Sequence, residues 1–159
     1  MSREAKTNAM RMLDRQKIHY ELLTYDCDEF IDGVHAAEQT GAPLDESFKT
    51  LAAVGKSGAN YVFVLPVACE IDLKAAARAV GEKSVELLHL KDVLSVTGYI
   101  RGGVSPIGMK KKFPTVFHQS AAAHPKIYIS GGRQGCTLCL APEDALRAAD
   151  AVLADIIKH

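Results

Sequence analysis

The chain has 159 residues, 48% hydrophobic and 24% charged, enough for one ordinary globular core without disulfide staples. Lys plus Arg equals Asp plus Glu at 19 each, so the formal net charge is zero and no general basic coat exists to hold a long polyanion by its field. No apolar run approaches the roughly 18 residues of a membrane span, and Met1-Ser2-Arg3-Glu4 opens no signal-peptide core, so a cytoplasmic protein with one domain over residues 1–159 is expected.

From Thr7 to Lys17, Ala9, Met10, Met12 and Leu13 recur at the spacing of a short amphipathic helix, with Ser2 or Thr7 as its cap. Ile18 to Tyr25 reads as a strand. Cys27 to Asp32 is an acidic connection, and Asp32 is placed to cap a helix through Val34, Ala37 and Glu38 that stops near Gly41-Ala42-Pro43. Phe48 to Val54 and Tyr61 to Val67 are β-branched and aromatic runs separated by Gly55-Lys56-Ser57-Gly58-Ala59-Asn60, the pattern of a hairpin. Lys49 heads the first of these strands. It reads either as an exposed-face lysine or as a fixed charge held near an anion. Asp72 caps an Ala-rich helix, Leu73 to Val80, closed by Gly81, and a short apolar run from Val85 to Leu88 follows.

Thr97 to Lys112 is the most distinctive stretch. Gly102, Gly103 and Gly108 allow close backbone approach, Pro106 stiffens the turn, and Lys110, Lys111 and Lys112 add charge. Gly103 to Gly108 has the spacing of half a phosphate loop, but Met109 and Lys110 stand where Lys and then Ser or Thr are needed to hold phosphate and magnesium, which excludes a nucleotide triphosphatase on that motif. Ser105 sits in Val-Ser-Pro-Ile, without the G-x-S-x-G elbow of a serine hydrolase. Thr115 to His118 and Lys126 to Ser130 read as strands, and Gly131-Gly132-Arg133-Gln134-Gly135 makes a second glycine turn into a strand from Cys136 to Leu140. Cys136 and Cys139, three apart in that strand, point to opposite faces and cannot clasp one metal, and the six histidines show no helical H-x-x-x-H pair, so no metal is expected. Pro142, Glu143 and Asp144 start a C-terminal helix whose Leu146, Ala149, Leu153 and Ile156 form a core-facing stripe. The hairpins argue for mixed α/β architecture over a purely parallel, doubly wound sheet.

Four segments, in order, carry a resemblance: Lys6-Thr7-Asn8-Ala9-Met10-Arg11, Phe48-Lys49-Thr50-Leu51, Thr97-Gly98-Tyr99-Ile100-Arg101-Gly102-Gly103-Val104-Ser105-Pro106-Ile107-Gly108, and Ser130-Gly131-Gly132-Arg133-Gln134-Gly135. Together they resemble the YbaK/EbsC family of aminoacyl-tRNA deacylases, related to the editing domain of bacterial prolyl-tRNA synthetase. The resemblance implies the YbaK/prolyl-tRNA synthetase associated domain type of fold, a curled, partly barrel-like mixed β-sheet surrounded by helices. It implies a hydrolase without cofactor, acting in trans on mischarged aminoacyl-tRNA, most typically cysteinyl-tRNA(Pro), with prolyl-tRNA synthetase as a candidate partner. Two alternatives stay open: another small aminoacyl-tRNA such as alanyl-tRNA(Pro), or a non-catalytic module that binds the tRNA acceptor end. By the same resemblance Lys49 is the central functional residue, the backbone of Gly102 and Gly103 faces the aminoacyl group, and Tyr20, Phe30, Thr50 and Ser130 line the pocket. The family's route has the thiol of the cysteinyl substrate attack its own ester. One departure concerns specificity, since family members often carry an Asp in a Gly-Leu-Asp type sequence where this chain has Gly135-Cys136-Thr137.

Overall fold

The computed structural model describes residues 6–25 and 33–159, so Ser2, Phe30, Asp32 and the acidic connection from Cys27 lie outside the described residues. Helix α1 (Asn8–Arg15) begins where Thr7 leaves extended backbone and accepts the Met10 N–H through its side chain, and its Ala9, Met10 and Leu13 are buried on one face. Strand β1 (Glu21–Thr24) and helix α2 (Gly33–Thr40) follow. Strands β2 (Phe48–Gly55) and β3 (Asn60–Pro66) form the expected hairpin, in register from Phe48 opposite Pro66 to Val54 opposite Asn60. Helix α3 (Leu73–Val80) keeps its expected bounds, because the Asp72 carboxylate accepts the N–H groups of Lys74 and Ala75 and Gly81 takes a left-handed φ of 76°.

Strand β4 (Val85–Leu87) leads to the first departure from the sequence reading. Residues 90–97, left unassigned there, form helix α4 (Leu90–Thr97), which Gly98 ends at φ 85°. The first glycine of the long glycine stretch therefore closes a helix. Only Thr97 of α4 is buried, so the helix lacks the buried stripe by which a sequence announces one. The second departure is at the C-terminal end. The expected helix from Pro142 to Ile156 stops as α5 (Pro142–Ala149), because Asp150 turns left-handed at φ 52° and ψ 51°. Ala151–Ala154 then becomes strand β8, pairing in parallel with β5 (Thr115–His118). Ala145, Ala148 and Ala149 reach the core from α5, Leu153 is exposed on β8, and Ile156 is buried beyond both.

With β6 (Ile127–Ser130) and β7 (Cys136–Leu140), the strands make two sheets. The larger has the order β4-β2-β3-β5-β8, antiparallel through the hairpin and parallel from β3 to β8, and the smaller has the antiparallel order β1-β7-β6. An isolated parallel bridge between Ser47 and Tyr128 ties the sheets into a curl. Both faces of β3 are covered. Val62 and Val64 pack with Phe117, Leu13, Ile129 and Leu138 in one core cluster, while Phe63 and Leu65 pack with Val116, Ala76, Ala77 and Ile156 in the other. This two-sided burial is why β3 reads as a continuous apolar run with no alternation. No helix among the described residues is long and apolar enough to cross a membrane.

Candidate active site

The site arises from an incomplete pairing of β2. Strand β3 covers one edge from Phe48 to Val54, but β4 covers the other only at Ala53–Gly55, and the Ser47–Tyr128 bridge closes its start. Between them opens a cavity of about 380 Å³, floored by Ala36, Ala37 and Thr40 of α2 and walled by Phe48 to Ala52, Tyr128 to Ser130, Cys136 and Thr137. Leu87, Leu88, Val93, Arg101, Gly102 and Val104 also line it, with Tyr25, Ala42, Ser47 and Val67.

The ladder fixes which groups of β2 face this gap. The Gly55 N–H donates to Ala59, and the Ser47 carbonyl accepts from Val67, so odd-numbered residues bond towards β3, whereas the Ala52 carbonyl accepts from Leu88 on the opposite edge. Alternation then places the N–H and C=O of Thr50 on the open edge. Its hydroxyl Oγ1 is buried and has no hydrogen-bond partner among the described residues. A buried hydroxyl without a partner is costly in a resting core, and this one belongs to a residue that lines a cavity. Lys49, one position earlier, also lines the cavity and is half-buried.

The opposing wall is the glycine stretch, braced from behind. Gly102 has φ 86°, and the Gly103 N–H donates to the Ile100 carbonyl at 2.9 Å, closing a tight turn over Arg101 and Gly102. That bond engages the Gly103 amide, while the Gly102 N–H makes no backbone hydrogen bond among the described residues and Gly102 lines the cavity. Gly103 instead serves as a point of contact between the two glycine turns. A Cβ there would lie 2.6 Å from the Cα of Arg133. Gln134 Nε2 donates to the Arg101 carbonyl at 2.8 Å, joining the turns again. Tyr99 is buried and donates its hydroxyl to the Ile107 carbonyl at 2.6 Å, and burial pushes its phenol up to about 12. Ser105 is fully buried and its Oγ accepts the Ile107 N–H, which leaves no exposed hydroxyl in the stretch.

Lys49, Thr50, Gly102 and Ser130 thus meet in one cavity. Tyr20 does not join them: it lines a separate groove with Lys6, Asp14 and Arg133, and its phenol is raised by burial and then by the nearby Asp14 carboxylate. Tyr25, five positions on, reaches the cavity in its place. Phe30 lies outside the described residues. The sequence reading also passed over Tyr128, although Ser130 sits two positions along the same strand and so shares its face. Thr137 is the cross-strand neighbour of Ser130, and the two place adjacent hydroxyls in the lining. The lining holds Lys49 and Arg101 but no carboxylate among the described residues, which favours a substrate that brings negative charge. Cys139 pairs with Tyr128 across the strands, and burial raises its thiol above the ordinary value.

A Ser–His–Asp sequence of contacts exists elsewhere, with Ser120 Oγ 2.8 Å from His118 Nδ1 and His118 Nε2 3.3 Å from Asp155 Oδ1, off the line needed for a hydrogen bond. Its Nδ1 already accepts the Ser120 backbone N–H, so the imidazole caps a turn, and none of the three residues lines the cavity.

Fold and cavity together define a class: a mixed α/β fold with a pocket between an interrupted strand and a braced glycine turn, furnished with a strand-borne lysine. The sequence profile of the aminoacyl-tRNA editing domain matches residues 32–148, and the chain belongs to that family, as the four ordered segments anticipate. A relative from Enterococcus faecalis, provisionally named Cys-tRNA(Pro)/Cys-tRNA(Cys) deacylase EbsC, is 43% identical over 154 residues that cover 96% of this chain and 94% of that protein. Among solved structures, hypothetical protein APE2540 superimposes with a TM-score of 0.86 at 24% identity, over 95% of this chain and 99% of that one. A protein provisionally described as a trans-editing enzyme for prolyl tRNA synthetase superimposes with a TM-score of 0.85 at 24% identity, over 98% of this chain and 100% of that one. At such identity these two structures speak for the fold.

Proposed function

We propose that this chain, acting as one domain, is an enzyme that hydrolyses the ester of mischarged aminoacyl-tRNA in trans, with cysteinyl-tRNA(Pro) as its substrate. The observation that carries the reading is the single cavity in which Lys49, Thr50, Gly102 and Ser130, drawn from three distant segments, converge in a chain of the editing family. An aminoacyl ester is already activated, so its cleavage needs positioning and a stabilised oxyanion more than a strong nucleophile. The Gly102 N–H donates to the ester carbonyl oxygen as charge develops there. Gly103 holds that amide in place by seating the turn against Arg133. Lys49 supplies positive field and holds the terminal ribose or its phosphate, and the Thr50 hydroxyl finds in the aminoacyl group the partner it lacks among the described residues. The substrate thiol attacks its own carbonyl carbon. The carbon–oxygen bond to the ribose breaks, the ribose oxygen takes the thiol proton, and a cyclic thiolactone leaves, which water then opens to cysteine.

A pocket shaped for proline gains only about 1–3 kcal/mol per methylene over a smaller rival, which is why a synthetase for proline benefits from a second sieve, and prolyl-tRNA synthetase is the partner this role implies. A second reading keeps the ester as the bond that is cleaved and changes the amino acid, with water as the attacking group because an alanyl side chain has no thiol. Thr137 lines the cavity beside Ser130 at the place where the family often has Asp, and a neutral hydroxyl pair suits alanyl-tRNA(Pro) or another small aminoacyl group as well as cysteinyl. A panel of mischarged tRNAs at sub-stoichiometric protein separates these readings. Release of cysteine from cysteinyl-tRNA(Pro), reduced at least about a hundredfold by Lys49→Ala, is the expected result. Protection of every ester without hydrolysis would make the chain an acceptor-end binder, and unaltered turnover by Lys49→Ala would remove that lysine from the mechanism.

A further inference from the structure

The mouth of the cavity continues onto a face left uncovered among the described residues. Leu90 and Leu94, one turn apart on α4, are 58% and 56% exposed, and Leu87 on β4 is 42% exposed. Leu87 and Val93 of the same segment line the cavity, so the exposed leucines begin where the cavity opens. Only Thr97 of α4 is buried. A helix that keeps its leucines in water while contributing almost nothing to a core marks a binding surface. Basic residues stand beside this face. Arg101 lines the cavity, Lys91 is exposed on α4, and Lys110 lies across the C-terminal turn of α4 with its Nζ 3.4 Å from the Ser95 carbonyl. Glu86 and Asp92 are the acidic residues of the segment from 85 to 97.

We infer that this face binds the unpaired 3′ end of the substrate RNA, with the terminal adenine packed on Leu87, Leu90 and Leu94 and the preceding phosphates beside Lys91 and Lys110. The inference rests on the deacylase reading. An ester held in the cavity is carried on the terminal ribose, and the base on that ribose must lie within one nucleotide of the cavity mouth. The eight residues of α4 span about 12 Å, room for roughly three stacked bases at about 3.4 Å each. Apolar side chains receive base faces whatever the sequence, and flanking lysines take the backbone, the combination by which single strands are held. The chain has zero net charge, so a short local contact of this kind supplies what a basic coat does not. Contact with the cavity mouth and the basic residues beside it favour an RNA end over a protein partner.

The test uses the full chain and the Leu90→Ser/Leu94→Ser double variant, which alters side chains already more than half in water. The variant is expected to lose roughly tenfold in kcat/KM on mischarged tRNA while keeping the wild-type rate on a methyl ester of the same amino acid, which has no adenine. Unchanged kinetics on both substrates, or an equal fall on both, would overturn the inference. A second readout needs no turnover. The ¹³C-methyl resonances of Leu90 and Leu94 are followed as a tRNA minihelix ending in a non-hydrolysable 3′-aminoacylamino adenosine is added. Shifts that vanish when only the terminal adenine base is removed, leaving the 3′-aminoacylamino ribose in place, support the inference, and unmoved methyls refute it even if the enzyme is active. Loss of self-association in the variant, or a defect seen only with the synthetase present, would assign the face to a protein instead. If the wild type cleaves no mischarged tRNA, the deacylase reading fails, whereas turnover with unmoved leucine methyls defeats this inference alone.

Discussion

Gly103→Ala tests whether the two glycine turns act as one wall. Gly103 lies outside the positive-φ glycines, so alanine meets no backbone strain there and its whole effect comes from contact. The added Cβ would stand 2.6 Å from the Cα, 2.9 Å from the carbonyl carbon and 3.0 Å from the nitrogen of Arg133, all backbone atoms that no side-chain rotation can clear. Relief to ordinary van der Waals distance requires the turns to part by about 1 Å. Overpacking of this kind costs about 1–3 kcal/mol, and for a chain of this length each kcal/mol lowers Tm by about 2–4 °C. The same displacement carries the Gly102 amide away from the ester and strains the bond from Gln134 to the Arg101 carbonyl. A misplacement of that size costs roughly a hundredfold in rate. Thermal unfolding and deacylation are measured together, with Gly81→Ala as the comparison. Gly81 has φ 76° and open space around its Cα, so alanine there costs about 1 kcal/mol of stability and leaves turnover alone. Wild-type stability and turnover in Gly103→Ala would refute the reasoning, and so would an equal loss of turnover in Gly81→Ala.

Thr50→Val removes the buried hydroxyl that lacks a partner among the described residues, so stability to urea is expected to hold or rise by up to about 1 kcal/mol while kcat/KM falls several-fold, and a destabilised but fully active variant would contradict this. Tyr99→Phe loses the bond to the Ile107 carbonyl, which costs about 1 kcal/mol at neutral pH. The phenol of Tyr99 is raised in the folded state, so its contribution is complete below the ordinary value of about 10 and is lost as pH rises towards about 12; the variant should lose stability less steeply than wild type across that window in urea titrations. Glu82 is held below the usual carboxylate range by hydrogen bonds from Ser57 and then Tyr61. Its contribution is present above about pH 4.3 and is lost as pH falls through the lower folded value, so the Tm deficit of Glu82→Gln at pH 7 should shrink on acidification, as calorimetry at stepped pH would reveal.

Local chemistry made much of this protein legible from its sequence. Thr7 and Asp72 cap their helices, Gly81 closes α3, and the β2–β3 hairpin follows its turn residues, because caps and turns are decided by groups a few positions apart. The ordered motifs carried the family, and Lys49, Thr50, Gly102 and Ser130 of those segments line one cavity. Elements whose partners lie far along the chain escaped. Helix α4 buries only its last residue and so shows no core stripe, and β8 carries the apolar spacing of a helix yet becomes a strand because Asp150 turns the chain onto the edge of β5. The cavity belongs to the same category. That β4 stops short of Thr50 on one edge of β2, that Tyr25 rather than Tyr20 reaches the gap, and that Gly103 meets the backbone of Arg133 thirty positions away are facts of three-dimensional packing. Sequence determined which residue types a site can draw on, since backbone freedom and charge are properties of single residues. Tertiary structure alone decided which of them share a wall, since that depends on where strand pairing stops.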